Sequence, residues 1–154
     1  MKRRTTWLTA AIAIGILIIA ATSFALNIPG LGKYKKVTAV NGTVTIPVSS
    51  LNDGKARFYS FKDGSAEIRF FLVKDRDGSI KSAFDACDVC YKDKKGYEQS
   101  GDQMLCKNCN KKFAISRIGP HAVGGCNPSY LPSTSNGKEI TIKASDLRTG
   151  ARYF

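Results

Sequence analysis

The chain has few of the residues that enzymes most often use for acid–base chemistry. One histidine, His121, occurs among 154 residues, and 12 acidic residues stand against 24 basic ones. No Ser/His/Asp set can be recognised, and Asp75, Asp77, Asp85 and Asp88 have the sequence settings of turns and of cysteine-flanking positions. We therefore expect that the protein is not an enzyme.

Amphipathic helices are also missing from the pattern. Beyond Asn27, no stretch repeats apolar residues at the 3.6-residue period of a helix over three turns. Runs of β-branched and aromatic residues between turn residues instead predict strands over 36–40, 43–48, 57–61, 66–74 and 79–83. Asn41-Gly42 predicts a type I′ hairpin between the first two strands. Because residues 70–73 are apolar on both faces, we expect their strand to be central.

Charge is absent from the twenty residues 7–26, which follow Lys2, Arg3 and Arg4. A basic start, an apolar run and the small-x-small sequence Ser23-Phe24-Ala25 are typical of a signal peptide that is cut after Ala25. Twenty apolar residues at about 1.5 Å each can also cross a hydrocarbon core of about 30 Å as an uncut helical anchor. In both cases the rest of the chain lies outside the cytoplasm, at the cell membrane if anchored and secreted or periplasmic if cut.

The remaining 128 residues are basic and suffice for one domain. The first 26 residues hold three of the 24 basic residues and no acidic one, so 21 basic and 12 acidic residues remain, a net charge of +9. These basic residues are spread along the chain, and exported proteins rarely meet nucleic acid, so we expect no nucleic-acid partner. A solvated surface near anionic lipid headgroups is the plainer interpretation. We divide the chain into 1–26, a linker with a first strand at 27–42, and a domain at 43–154.

Two Cys-x-x-Cys elements carry the strongest signal. Cys87 and Cys90 form the first, Cys106 and Cys109 form the second, and fifteen residues separate them. Two such turns brought together offer four sulfurs to one ion, and the residues around Ser100-Gly101-Asp102 predict a hairpin that returns the second pair to the first. Zinc and iron–sulfur clusters both use four cysteines, and two disulfides are the alternative in an exported chain.

A fifth cysteine makes the count odd. Cys126 lies in Gly124-Gly125-Cys126-Asn127-Pro128, where the glycines allow close backbone approach. It is interpreted as a cofactor-binding cluster ligand or a thiolate near the cluster, with His121 as a reserve ligand. The alternative makes Cys126 a partly buried free thiol and His121 an ordinary loop residue. Asn110, after the second pair, suits the left-handed conformation that turns N–H groups toward sulfur.

One internal similarity relates the two ends of the domain. Residues 45–59 resemble residues 141–154, and both are predicted as a strand, a turn closed by glycine and an aromatic strand. A duplication predicts that the two copies form equivalent edges of one sheet or sandwich, whereas chance convergence on a common turn unit predicts nothing about their pairing.

These residues carry a resemblance to a known family. The segments that carry it are 68–74, 77–78, 84–91, 95–97, 106–109 and 124–128. Together they resemble the membrane iron–sulfur family typified by FtrD, over roughly residues 43–154. The namesake is the ferredoxin-like component of a bacterial ferrous-iron uptake system. The resemblance implies an iron–sulfur or related centre held by Cys87, Cys90, Cys106 and Cys109, with Cys126 as the fifth family position. Fused members have many hydrophobic segments, whereas this chain has one.

The sequence therefore predicts a mainly β domain, a small sheet or sandwich with a Cys-x-x-Cys metal ribbon, preceded by one N-terminal hydrophobic helix. We expect an exported or membrane-anchored electron carrier with an iron–sulfur cluster, or zinc as the alternative metal. Its expected partners are the membrane and redox or iron-transport membrane proteins. The alternative functions are a metal-delivery module and a structural zinc or disulfide domain that presents a binding surface.

Overall fold

The computed structural model describes residues 32–122 and 125–154. The predicted signal peptide or anchor at 1–26 lies outside the described residues. Within them the chain forms ten strands: β1 (Tyr34–Val37), β2 (Thr43–Pro47), β3 (Arg57–Asp63), β4 (Ala66–Lys74), β5 (Ile80–Phe84), β6 (Tyr97–Ser100), β7 (Gln103–Cys106), β8 (Lys112–Ala114), β9 (Thr134–Ser135) and β10 (Glu139–Lys143). Helix among the described residues is limited to α1 (Ala144–Thr149) and the 3₁₀ turns Val48–Leu51, Tyr91–Asp93, Ile115–Arg117 and Gly150–Tyr153. The prediction of a mainly β domain is confirmed.

A four-stranded sheet in the order β1-β3-β4-β5 forms the middle of the domain. β1 runs parallel to β3, while β3, β4 and β5 are antiparallel neighbours. β4 lies inside the sheet, and its residues Phe70, Phe71, Leu72 and Val73 are fully buried. Because a strand covered on both faces needs apolar residues on both, the continuous apolar run placed β4 correctly at the centre.

Successive side chains of β4 point to opposite faces of the sheet and pack into two separate cores. Phe70 and Leu72 face a core shared with the sheet β2-β10-β9 and with α1, which we call the first core. Phe71 and Val73 face the opposite way, against the sheet β6-β7-β8, which we call the ribbon. Full burial of one such side chain contributes roughly 1.5–3 kcal/mol. Both layers therefore depend on the same strand.

The core on the ribbon side contains sulfur, and we call it the cysteine core. Its buried members are Phe71, Val73, Ala83, Cys87, Tyr97, Met104, Cys106, Ile115, Ile118 and Cys126. The first core is built from aliphatic and aromatic side chains, with no cysteine among its described members. The ribbon strands are only three or four residues long. The stability of this layer therefore depends on its packing against β4 and on the interactions that hold the cysteine sulfurs together.

The predicted hairpin at Asn41-Gly42 is only partly correct. Both turn residues have positive φ, 51° and 76°, as a type I′ turn requires. The flanking residues pair only as the single bridge Val40 to Thr43. Beyond it the two strands separate, because β1 joins the central sheet whereas β2 joins β10 and contributes to the first core.

The two similar segments are partners in one sheet. β2 and β10 pair antiparallel with Thr45 opposite Thr141, so the matched residues meet near a local two-fold axis. Each strand leads into a short helical turn that buries one leucine, Leu51 or Leu147. The prediction of two equivalent edges is wrong, because β2 is an edge strand and β10 lies between β2 and β9.

The predicted second aromatic strand, at 152–154, is also wrong. The structure has the 3₁₀ turn Gly150–Tyr153 there. Gly150 lies so close to the Phe84 ring that a Cβ atom would overlap it. The Tyr153 ring then packs 5.7 Å from Phe84 and 5.6 Å from Tyr91, centroid to centroid. Aromatic packing closes the chain end over the first core.

Candidate metal centre

The first Cys-x-x-Cys element lies where the chain leaves the central sheet after β5. Cys87 is buried and Cys90 is half-buried. The backbone N–H of Cys90 donates to Cys87 Sγ at 3.0 Å, and the N–H of Tyr91 donates to the Cys87 carbonyl at 3.1 Å. The 3₁₀ turn that follows ends at Lys94, which has the left-handed φ of 51°. The result is a tight knuckle in which the Cys90 N–H already faces a sulfur.

The second element is delivered by the ribbon hairpin. β6 and β7 pair with Tyr97 opposite Cys106, which confirms the hairpin predicted around residues 100–102. Asn110 has φ of 57°, as its position predicted, and its N–H donates to the Cys106 carbonyl at 2.9 Å. The third strand, β8, was not predicted. It pairs with β7 and covers its other edge.

Cys126 joins the site from a separate loop, after the 3₁₀ turn Ile115–Arg117. It is buried, and its carbonyl accepts a hydrogen bond from the Tyr97 hydroxyl at 2.5 Å. Its Sγ lies 3.5 Å from Cys90 Sγ. A disulfide bond would be about 2.05 Å long, and all five cysteines are free. The fold therefore brings the fifth cysteine into contact with the first knuckle.

The five sulfurs form two overlapping groups of three. Cys87, Cys90 and Cys126 make one group, and Cys90, Cys106 and Cys109 make the other, with all Sγ atoms of a group within 4.8 Å of one another. Cys90 belongs to both. The four residues predicted as metal ligands, and Cys126, thus lie in one cluster. His121 is in neither group and is exposed.

The thiols differ in how readily they lose a proton. Burial raises the pKa of Cys106 to about 11 and raises the pKa of Cys126 well above its ordinary value. At Cys109 burial acts in the same direction, but hydrogen bonds from the Lys111 N–H and neighbouring thiols outweigh it and lower the pKa to about 7. A bound cation stabilises all of the thiolates at once, since it replaces the protons.

A buried carboxylate braces the site, a role that was not predicted from the sequence. Asp85 accepts hydrogen bonds from Lys33 Nζ at 2.5 Å, from the Tyr34 hydroxyl at 2.6 Å and from the Tyr97 N–H at 2.6 Å. The Asp85 side chain is 1% exposed. The pKa of Lys33 is lowered by burial, although Asp85 opposes that shift. Tyr97 thus connects Asp85, through its backbone, to Cys126, through its hydroxyl.

Gly96 makes room for this brace. It has φ of +66°, and a Cβ atom there would lie 2.5 Å from an oxygen of the Asp85 carboxylate. A side chain at this position is therefore disfavoured twice, by the backbone conformation and by the close approach. Gly96 lies in segment 95–97, which carries the family resemblance, but its contact with Asp85 has no local sequence pattern.

The two knuckle segments carry several exposed lysines and one exposed apolar residue. Val89, between the cysteines of the first knuckle, is 64% exposed. Six exposed lysines lie within or next to the two knuckles in sequence: Lys92, Lys94, Lys95, Lys107, Lys111 and Lys112. Asp88 has its own partners, the Tyr153 hydroxyl at 2.5 Å and Arg152 at 3.4 Å. With exposed Asp88, Asp93 and Glu98 counted, the exposed charges in these two segments are predominantly positive.

The space beside the sulfurs is small. A cavity lined by Cys87, Cys90, Cys106, Asp85 and Tyr97, among others, measures about 10 Å³. In that measure a single water molecule needs about 10–15 Å³. The cavity therefore has no room for an organic substrate.

Comparison with known protein families identifies the family of this chain. The family model described as membrane iron-sulfur containing protein FtrD-like matches residues 51–154, more than half of the chain. No curated protein and no solved structure matches. In the part of the chain that the structure describes, no helix is long and apolar enough to span a membrane.

Proposed function

Because the chain belongs to the FtrD-like family of membrane iron–sulfur containing proteins, we propose that its five cysteines hold an iron–sulfur centre that carries single electrons. The observation that supports this proposal most is the convergence of five free thiols from three separate segments on one site. Five cysteines that serve only packing would have no reason to meet. When bound, the centre supplies reversible one-electron chemistry.

The donor set suits that group. Iron–sulfur clusters are held by cysteine thiolates, and hydrogen bonds to the sulfurs tune their reduction potential. Cys90 N–H already donates to Cys87 Sγ, and Lys111 N–H donates to Cys109. Cys87, Cys106 and Cys126 are buried, which shields the centre from water. Zinc accepts the same ligands and is the alternative metal.

Electron transfer, rather than substrate turnover, agrees with the surroundings of the sulfurs. The adjacent cavity is too small for an organic substrate, whereas Cys90 and Cys109 are only half-buried and bring the centre to the surface. Electrons can pass between partners without a substrate pocket. In this proposal the protein is not an enzyme.

The excess of exposed lysines in the two knuckle segments favours a redox partner with an acidic face. Opposite charges steer association, and the exposed Val89 side chain offers the partner an apolar contact. We place the domain outside the cytoplasm, at the membrane or released after Ala25, with redox or iron-transport membrane proteins as partners. The family's description as membrane proteins supports the membrane part of this proposal.

The test is anaerobic purification followed by analysis of iron, zinc and acid-labile sulfide and by visible absorption. We expect a coloured protein with iron and sulfide, and a colourless, iron-free protein when Cys87 and Cys106 are both replaced by alanine. Val89→Ala, which changes the same knuckle without removing a sulfur, should keep the colour. A colourless wild-type protein that holds zinc under iron-replete conditions would contradict the proposal and favour a structural or metal-delivery role.

A further inference from the structure

We propose that the centre holds two metal atoms, one in each group of three sulfurs, and that the Cys90 thiolate is shared between them. This inference rests on the proposed function, because it concerns the same cysteines. It adds the number of metal atoms and gives the five thiols unequal roles.

Distances within each group suit one metal atom. In a tetrahedral site with metal–sulfur bonds of about 2.3 Å, two ligand sulfurs lie about 3.8 Å apart. The Sγ atoms of Cys90 and Cys126 are 3.5 Å apart, and every pair within either group lies within 4.8 Å. Each group therefore provides three corners of a tetrahedron.

The connectivity argues against a single atom held by the two knuckles alone. Such a site needs four sulfurs and leaves Cys126 without a role. In the structure Cys126 is buried against Cys90, and the Tyr97 hydroxyl fixes its carbonyl. One tetrahedral atom cannot accept five thiolates. Two atoms that share Cys90 use all five and leave one position on each atom for another ligand, which in an iron–sulfur centre is inorganic sulfide.

The charge of the five thiolates also favours two metal atoms. Five thiolates carry five negative charges, and three of the five sulfurs belong to buried residues. One divalent ion would leave three of these charges uncompensated in a site of low polarity, whereas two divalent ions without sulfide, or two ferric ions with one bridging sulfide, leave one. The exposed lysines around the knuckles can screen the remainder. Two cations therefore match the site better than one.

Metal counting by native mass spectrometry tests the inference on the full-length chain, prepared anaerobically in detergent. We expect two metal atoms per chain. Cys126→Ala and Cys109→Ala should each retain about one, because each removes a ligand from one group only. Cys90→Ala should retain none, because it removes a ligand from both. Val89→Ala is the matched control and should keep two.

A second measurement does not depend on how the variants fold. Cobalt(II) added to metal-depleted wild-type protein gives thiolate charge-transfer absorption that should stop rising at two equivalents. A break at one equivalent would overturn the inference, as would a cluster of four irons in the mass spectrum. So would a single atom that is lost with any knuckle cysteine but kept in Cys126→Ala.

The two proposals fail in different ways. Two redox-silent zinc ions per chain would contradict the proposed electron carrier but support two atoms around Cys90. One redox-active iron per chain would support the carrier and overturn the shared thiolate. A wild-type chain that binds no metal would refute both.

Discussion

The two faces of β4 support layers of different chemical character. On one face, Phe70 and Leu72 pack into the first core, which is built from aliphatic and aromatic side chains. On the other face, Phe71 and Val73 pack against Tyr97 and the buried cysteines. The first face gains stability from burial alone. The packing on the second face depends on a bound cation, because its sulfurs repel one another once they are ionised. One strand thus joins a stable scaffold to a layer that depends on metal.

The largest effect should come from replacing a buried phenylalanine of β4 with alanine. Phe70→Ala and Phe71→Ala each remove a fully buried ring and should cost about 3–5 kcal/mol of unfolding free energy. The two variants should nevertheless differ. Phe70→Ala should keep the absorption spectrum of the centre, whereas Phe71→Ala should change it, since its ring centroid lies 6.3 Å from that of Tyr97. Denaturant unfolding and visible spectra of both variants test this. If Phe70→Ala changes the spectrum as much as Phe71→Ala does, the two faces are not independent.

The second-largest effect should come from removal of the metal, which should loosen one layer and leave the other unchanged. After chelation under reducing conditions, we expect amide exchange in the ribbon and in the loop at 85–94 to quicken about a hundredfold, on the order of 3 kcal/mol. The strands β3, β4 and β10 should keep their protection, because the first core contains no metal ligand among its described residues. They serve as the internal control. Unchanged protection of the ribbon would show that the cysteine core needs no cation.

Loss of the buried carboxylate should affect only one layer. Asp85→Ala removes the acceptor of the Tyr34 hydroxyl and of the Tyr97 N–H, while Lys33 Nζ keeps its hydrogen bond to the Tyr97 carbonyl. We expect metal affinity to fall about 10–100-fold, the range for partners that orient metal ligands. Asp63→Ala is the control, since its ion pair with Arg148 is exposed and should contribute less than about 1 kcal/mol. Competition with a chelator measures both affinities, and equal values would remove Asp85 from the account.

The smallest effect should follow from one hydroxyl. Tyr97→Phe removes the hydrogen bond to the Cys126 carbonyl and should cost about 1 kcal/mol. We expect the metal count to stay the same while the reduction potential shifts. Tyr130→Phe, outside both cores, is the matched control. An unchanged potential in Tyr97→Phe would show that Cys126 does not depend on this contact.

Local sequence patterns predicted the elements better than their partners. The apolar run at 70–73, the hairpin around residues 100–102 and the left-handed Asn110 all follow from period, turn chemistry and backbone preference. The pairing of β1 with β3 and of β2 with β10 joins residues far apart in sequence, and a turn signal at Asn41-Gly42 cannot specify it.

The site was predictable to a similar extent. The spacing of the cysteines predicted two knuckles, but the position of Cys126 beside Cys90 depends on a loop that the Tyr97 hydroxyl anchors. The brace at Asp85 depends on Lys33, which is 52 residues away in sequence. Such contacts leave no local pattern, so only the folded chain reveals them.

Electron paramagnetic resonance of the anaerobically purified protein, before and after stoichiometric reduction, tests the central claim most directly. If the cysteine core holds an iron–sulfur centre, reduction by one electron should change the resonance spectrum reversibly, and Cys90→Ala should abolish the signal. A spectrum that is silent in both states, from protein whose cysteine core is folded and metal-loaded, would contradict the account and leave the cysteine core a structural metal site.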